Sequence, residues 1–356
     1  MNIEMNKRII FLDYLRVFAF VSVLIGHKFY PEVSTYANSF ETHHITQQYL
    51  VNIILSMFTG GGAGVIVFFM ISGYIVLHVL QSEQPVEFMI KRVFRIYPLL
   101  IIAIFVEVFI SYVSQDTPIS LLQTMQQMSL FGDFFNTPHA LLGVEWTLRI
   151  EILFYILMFL LSFSFLIKRK NYSLLIIFSV ISIGLYYVPP FPSFGWNKAY
   201  LSMYLPFLFI GSAFYMYEKK TINLYALISF IILVFYLCFN LTEQYHIESL
   251  SSNFIVIGFL VFIGLWLMRN KSHIISSFID ALIIKISLLT YSVYLFHNFL
   301  WSHIATILHT YNFNSKYWIL LVLFLWCYLM HMLIETPMNK LGKRISKYVL
   351  QKRVSS

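Results

Sequence analysis

Three ionisable residues interrupt an otherwise apolar run near the start of the chain: Asp13, Arg16 and His27, all within 9–29. Charged groups at membrane depth cost free energy and tend to mark function. On a helix, Arg16 and His27 fall about 20° past three full turns, so they share one face roughly 16 Å apart. Asp13 and Arg16, at i,i+3, can pair. Two readings stand. One is an anchoring ion pair with a histidine at the headgroup boundary; the other is a polar path along one helix face. Arg16 fits the first poorly, because a snorkelling arginine normally lies nearer a helix end.

A second cluster is Lys91-Arg92-Val93-Phe94-Arg95-Ile96-Tyr97-Pro98. Arg92 and Arg95 project to the same side. They are either a plain positive-inside cluster or a clamp for a phosphorylated cytosolic ligand, since arginine grips phosphate through a bidentate fork. Trp146, Arg149 and Glu151 form a third group. Counted inward from Trp146, Glu151 lies roughly 7 Å below the outer boundary, and His27 lies within roughly 5 Å of it. The two can share a depth, where Glu151 would orient an imidazole. The alternative is a local pair with Arg149, yet two residues apart on a helix they point about 200° away from each other. His297, in Tyr291-Ser-Val-Tyr-Leu-Phe-His297, is a secondary site candidate, and His331 beside Glu335 reads as structural. The His43-His44 pair has no third ligand nearby and no metal motif occurs, so no metal is expected.

The elements holding these residues read as membrane spans. Of the 356 residues, 59% are hydrophobic and only 11% charged, against roughly 25% charged in a soluble domain. The mean hydropathy is +0.75. Apolar blocks long enough to cross a bilayer run at 9–29, 60–80, 95–113, 146–167, 172–189, 199–217, 223–240, 253–269, 286–308 and 317–334. Residues 49–59 either extend the second block or lie along the outer face and turn in at Gly60–Gly64. The first block is too long for a signal-peptide core and reads as retained. Most of the 24 lysines and arginines fall in alternate connections, and 114–143 has none, a positive-inside pattern. The expectation is an all-α integral membrane bundle of about ten transmembrane helices with both termini cytoplasmic. Residues 341–356 form a basic tail after the membrane domain at 1–340, fit for an amphipathic surface helix on anionic lipid. The net charge of +8 then reflects topology and the bilayer, not nucleic acid. Cys238 and Cys327 sit in apolar blocks and read as small buried hydrophobes.

In family order, the chain resembles the acyltransferase-3 family of bacterial membrane acyltransferases. The matching pieces are Leu12-Asp13-Tyr14-Leu15-Arg16 with His27; Gly64-Val65 through Phe68-Phe69-Met70-Ile71-Ser72-Gly73-Tyr74; Arg92 to Pro98; Glu145-Trp146-Thr147-Leu148-Arg149-Ile150-Glu151 with Phe154-Tyr155; Thr290 to His297; and Glu335-Thr336-Pro337. In this chain Thr147 stands where the family usually has serine, and Ile152 where it has a second glutamate. No appended esterase domain, as some relatives carry, is expected. The resemblance implies a multi-pass protein of the bacterial cytoplasmic (inner) membrane. It would move an acyl group, acetyl by family frequency, from cytosolic acyl-CoA to a hydroxyl of an extracytoplasmic glycan such as O-antigen, capsule or exopolysaccharide, in some cases lipid-linked. On that scheme Arg92 and Arg95 hold the coenzyme's phosphates and His27 is the general base. Glu151 or His297 orients it, and Arg16 or a backbone donor stabilises the oxyanion. Asp13, Trp146 and Ser72 join His297 as secondary candidates. No serine or cysteine stands out as a nucleophile, which favours direct transfer over an acyl-enzyme. Two other classes compete: a transporter or flippase for a lipid-linked glycan, and a non-catalytic subunit of a polysaccharide-synthesis complex. The absence of internal repeats weighs against transport.

Overall fold

The computed structural model describes residues 8–39, 45–114, 120–164, 166–168, 172–189, 199–244 and 252–354. The His43-His44 pair falls outside them. The described residues form helices and connecting turns without a strand. Six helical stretches are long and apolar enough to cross a membrane: Ile10–Lys28, Thr46–Leu80, Pro85–Val113, Trp146–Phe163, Leu224–Gln244 and Lys316–Lys352. Among the described residues, the bent pair Ser277–Ser287 and Thr290–Phe296 is either a seventh, broken span or a re-entrant loop. Phe105, Phe109, Ile232 and Leu325 are all exposed on these elements. Water tolerates few such side chains on a monomer surface, whereas lipid tails accept them. The chain is a multi-pass membrane protein.

It divides into two compact units, Met1–Ser72 with Cys238–Thr290, and Gly73–Leu237 with Tyr291–Ser356. In the first unit, α1 (Ile10–Lys28) is followed by α2 (Tyr30–Asn38) and α3 (Ile45–Phe58). A single turn at Thr59–Gly61 leads from α3 into α4 (Gly62–Leu80). Residues 49–59 lie on α3 and the start of this turn, joined to the second block across a kink at Gly60. Glycine is required at this turn. Gly60 and Gly61 have φ of 56° and 70°, and a Cβ on Gly61 would come 2.7 Å from the Val23 Cα. Along α1, Ala19, Ser22 and Gly26 make a small-residue seam that lets the two backbones meet. The Ser22 hydroxyl donates to the Met57 carbonyl (2.6 Å) and accepts from the Gly64 amide (3.1 Å), so the turn's polar groups are satisfied away from water.

In the second unit, α5 (Pro85–Val113) starts ahead of the expected position 95, with Pro85 in its first turn. Arg92 and Arg95 thus stand within the helix. Next come α6 (Leu121–Ser129), α7 (Trp146–Phe163), α8 (Ser173–Tyr187) and α9 (Tyr200–Glu218). Helix α9 is buried almost end to end. Gly73 backs directly onto its Leu208 carbonyl, an approach any side chain would block. Helix α10 (Leu224–Gln244) begins in this unit, and the chain then returns to the first unit for α11 (Ser252–Leu267), ahead of a region that departs from the expected continuous span at 286–308. It consists of α12 (Ser277–Ser287), α13 (Thr290–Phe296) and α14 (Phe299–Thr310), with a 44° bend after Ser287. The first joint falls at the apolar Leu288-Leu289, so the apolar pattern does not reveal it, whereas the second falls at the polar His297-Asn298. Last come α15 (Lys316–Met330), a π-turn at His331–Glu335 and α16 (Thr336–Val354), continuous as one long helix. The boundary expected at 340/341 falls inside it. Helix α16 packs on α5, with Gly342 against Phe94.

Candidate active site

Helix α1 carries the first candidates. Asp13 is fully buried and accepts from three side chains. Arg8 reaches it through Nε and Nη2 (2.7 and 2.9 Å), Arg16 through Nη1 (3.0 Å) and Ser287 of α12 through its hydroxyl (2.7 Å). The expected Asp13–Arg16 pair is formed, as one arm of a network tying α1 to α12. Arg8 precedes the span, and its hydrogen bond to Asp13 pushes its guanidinium above the ordinary range, so it stays charged. His27 is exposed on the last turn of α1. Ser72 is buried on α4.

The arginines of α5 belong to the second unit. Lys91 is committed to Glu83 and Glu87, at 2.7 and 2.6 Å. Arg92 is buried, its guanidinium 5.2 Å from the Phe88 ring centre and 5.6 Å from that of Tyr155. Such contacts steady a desolvated guanidinium by about 2 kcal/mol. Among the described residues, neither Arg92 nor Arg95 has a carboxylate within salt-bridge distance, and the Arg92 Nε has no hydrogen-bond partner. Glu151 is buried and accepts from the Tyr155 phenol one turn further along α7. Both lie within electrostatic reach of Arg92 and Arg95, as do Glu335 and Tyr291 of Arg95. The Tyr291 phenol donates to the Ile96 carbonyl at 2.7 Å, and Glu335 accepts from the Ser292 hydroxyl at 3.0 Å with His331 at 2.9 Å. Two arginines are thus held beside aromatic and acidic groups that offset their charge without occupying their donor forks.

A different network lies at the N-terminal end of α7. Arg149, 1% exposed, pairs with Asp133 and lies 3.4 Å from Glu145, not with Glu151. The angular argument against a local Arg149–Glu151 pair holds. The Tyr200 phenol donates to Asp133. Glu145 also accepts the Ala140 amide and lies 3.2 Å from His139 Nδ1. Trp146 packs between Tyr200 and Tyr204, with ring centres 5.3 and 5.0 Å away. Thr147 meets the Tyr294 hydroxyl at 2.6 Å, and His297 Nδ1 lies 2.8 Å from the Tyr294 carbonyl, where α13 gives way to α14. Asp133, His139, Glu145 and Tyr200 escaped the sequence reading. The signal that could have found Glu145 is its i,i+4 spacing to Arg149.

Arg92, Arg95 and Glu151 are therefore brought together in one unit, with Trp146 and His297 elsewhere on the same unit. Arg16, Asp13 and His27 share α1 in the other. No curated protein and no solved structure matches the chain. The family model described as an acyltransferase domain matches residues 9–334, and this protein is thereby a member of the acyltransferase-3 family, a family of membrane acyltransferases.

Proposed function

We propose that the protein is an O-acyltransferase of the bacterial cytoplasmic membrane, with about ten spans and both termini inside. Its donor is cytosolic acyl-CoA, most simply acetyl-CoA, and its acceptor a hydroxyl of an extracytoplasmic polysaccharide or glycolipid. The observation that carries this reading is the Arg92–Arg95 pair. Each keeps its guanidinium clear of any carboxylate partner among the described residues, on a rigid helix, where a coenzyme phosphate can take the bidentate contacts. From α7 the Tyr155 ring steadies Arg92, and Glu151 lies within electrostatic reach of both arginines.

Arg92 and Arg95 anchor the phosphate end of the donor. His27 takes the proton of the acceptor hydroxyl as its oxygen bonds to the acyl carbonyl carbon. The carbon–sulfur bond then breaks, and the coenzyme thiolate leaves with that proton from the imidazolium. A donor close to the acyl carbon stabilises the developing oxyanion, and Arg16, paired with Asp13 on the same helix as His27, contributes positive charge only at longer range. The acyl group passes directly from sulfur to oxygen.

Mass spectrometry of surface glycan from cells carrying wild-type protein or His27→Ala tests the reading. The expected result is loss of the acyl-sized mass with the glycan otherwise intact, a drop of at least about 100-fold in modification. Retained modification in His27→Ala would remove the base from this scheme, and loss of whole glycan would point to export instead.

A further inference from the structure

The long C-terminal helix changes pitch where it passes the α5 arginines. Pro337 has no amide to donate, and its ring crowds the carbonyl four residues back, at Leu333. The helix widens ahead of it into the π-turn His331–Glu335, where the Thr336 amide bonds the His331 carbonyl five residues back. Such a turn holds one extra residue, which re-aims the side chains around it by about 100°. The turn packs on α5, and Glu335 is buried.

Helix α13 fixes that carboxylate against the stretch of α5 that carries the arginines. Glu335 Oε2 accepts from the Ser292 hydroxyl at 3.0 Å and lies 2.9 Å from His331 Nδ1. Tyr291, next to Ser292, donates its phenol to the carbonyl of Ile96, the residue after Arg95, at 2.7 Å. All of these residues belong to the second unit. Glu335 lies within electrostatic reach of Arg95, yet no salt bridge joins them among the described residues. Arg95 is only half-buried, so its fork can be reached. A carboxylate bonded to that fork would block it, and an arginine pair with no acid nearby would hold a polyanion too tightly to let it go. Glu335, tied back by Ser292 and His331, does neither. Its charge opposes a bound phosphate while the fork stays open.

We propose that Glu335 is a positioning residue that sets how tightly the arginine pair holds the coenzyme's phosphates and how fast it releases them. This rests on the donor reading of Arg92 and Arg95 given above. Purified full-length protein in nanodiscs is titrated with coenzyme A, and the dissociation constant and off-rate are measured. Glu335→Gln keeps the shape and removes the charge, so coenzyme A binds tighter by on the order of ten-fold, chiefly through a slower off-rate. Glu335→Asp keeps the charge and stays nearer wild type. A merely structural Glu335 predicts the opposite sign, weaker binding in the glutamine variant. Should Glu335→Gln fail to fold, Ser292→Ala is the second arm. With that tether gone the carboxylate swings to the Arg95 fork, and coenzyme A binds more weakly than in wild type. Glu335→Gln protein that binds no tighter than wild type overturns the proposal alone, as does Ser292→Ala that binds equally well where only that variant folds. Wild type that binds no coenzyme A overturns the donor reading and this proposal with it.

Discussion

Replacing Arg149 with leucine lowers the unfolding free energy in detergent by about 3–5 kcal/mol, the cost of stripping the counter-charge from a buried ion pair. Arg149 is 1% exposed and sits between Asp133 and Glu145, both buried. Its removal strands two carboxylates where water does not reach, and Tyr200 alone cannot offset them through one hydrogen bond to Asp133. Arg149→Lys restores a charge but not the fork, so it falls between the two. The double variant Arg149→Leu with Asp133→Asn recovers part of the loss, because one stranded charge is gone. Thermal unfolding of the purified variants reads all three. Equal stability for wild type and Arg149→Leu would show that the network is not a keystone of the second unit.

Arg92→Ala and Arg95→Ala each raise the KM for acyl-CoA by about 10- to 100-fold, the worth of a hydrogen bond to a charged group at 1.5–3 kcal/mol. The double variant abolishes measurable transfer. Arg92→Lys recovers little, because the ammonium lacks both the planar fork and the flat face that packs against Phe88 and Tyr155. A purely structural role has a different signature: lower yield and melting temperature, with KM unchanged in the protein that survives. Steady-state transfer measured against acyl-CoA concentration separates the two.

Legibility in the sequence varied with how local the physics was. The Asp13–Arg16 pair and the common side of Arg92 and Arg95 follow from helical spacing alone, and both are present. So does the turning away of Glu151 from Arg149. What spacing cannot show is which distant residue completes a network. Asp133 and Tyr200 lie far from Arg149 along the chain, and each alone is an ordinary loop or helix residue. Ser287 joined to Asp13 is the same case. Glu151 was read against the outer boundary by its depth below Trp146, but its neighbours in its own unit include Tyr155 and the α5 arginines. The break before α13 was hidden because Leu288 and Leu289 continue through it, whereas the one after it carries a polar mark, His297-Asn298, within an otherwise apolar run. The start of α5 was hidden because Pro85 and Glu87 opened the helix within a polar stretch.

The central claim is that a phosphate grip on Arg92 and Arg95 delivers an acyl group across the membrane to a hydroxyl. Sealed inside-out vesicles from the native host, given acetyl-CoA labelled in the acetyl carbon, test it most directly. The expected result is label in base-labile ester linkage on glycan inside the vesicles, absent with Arg92→Ala/Arg95→Ala protein of normal abundance. Label that accumulates equally with that double variant, or none with wild type while native glycan is present, would contradict the account.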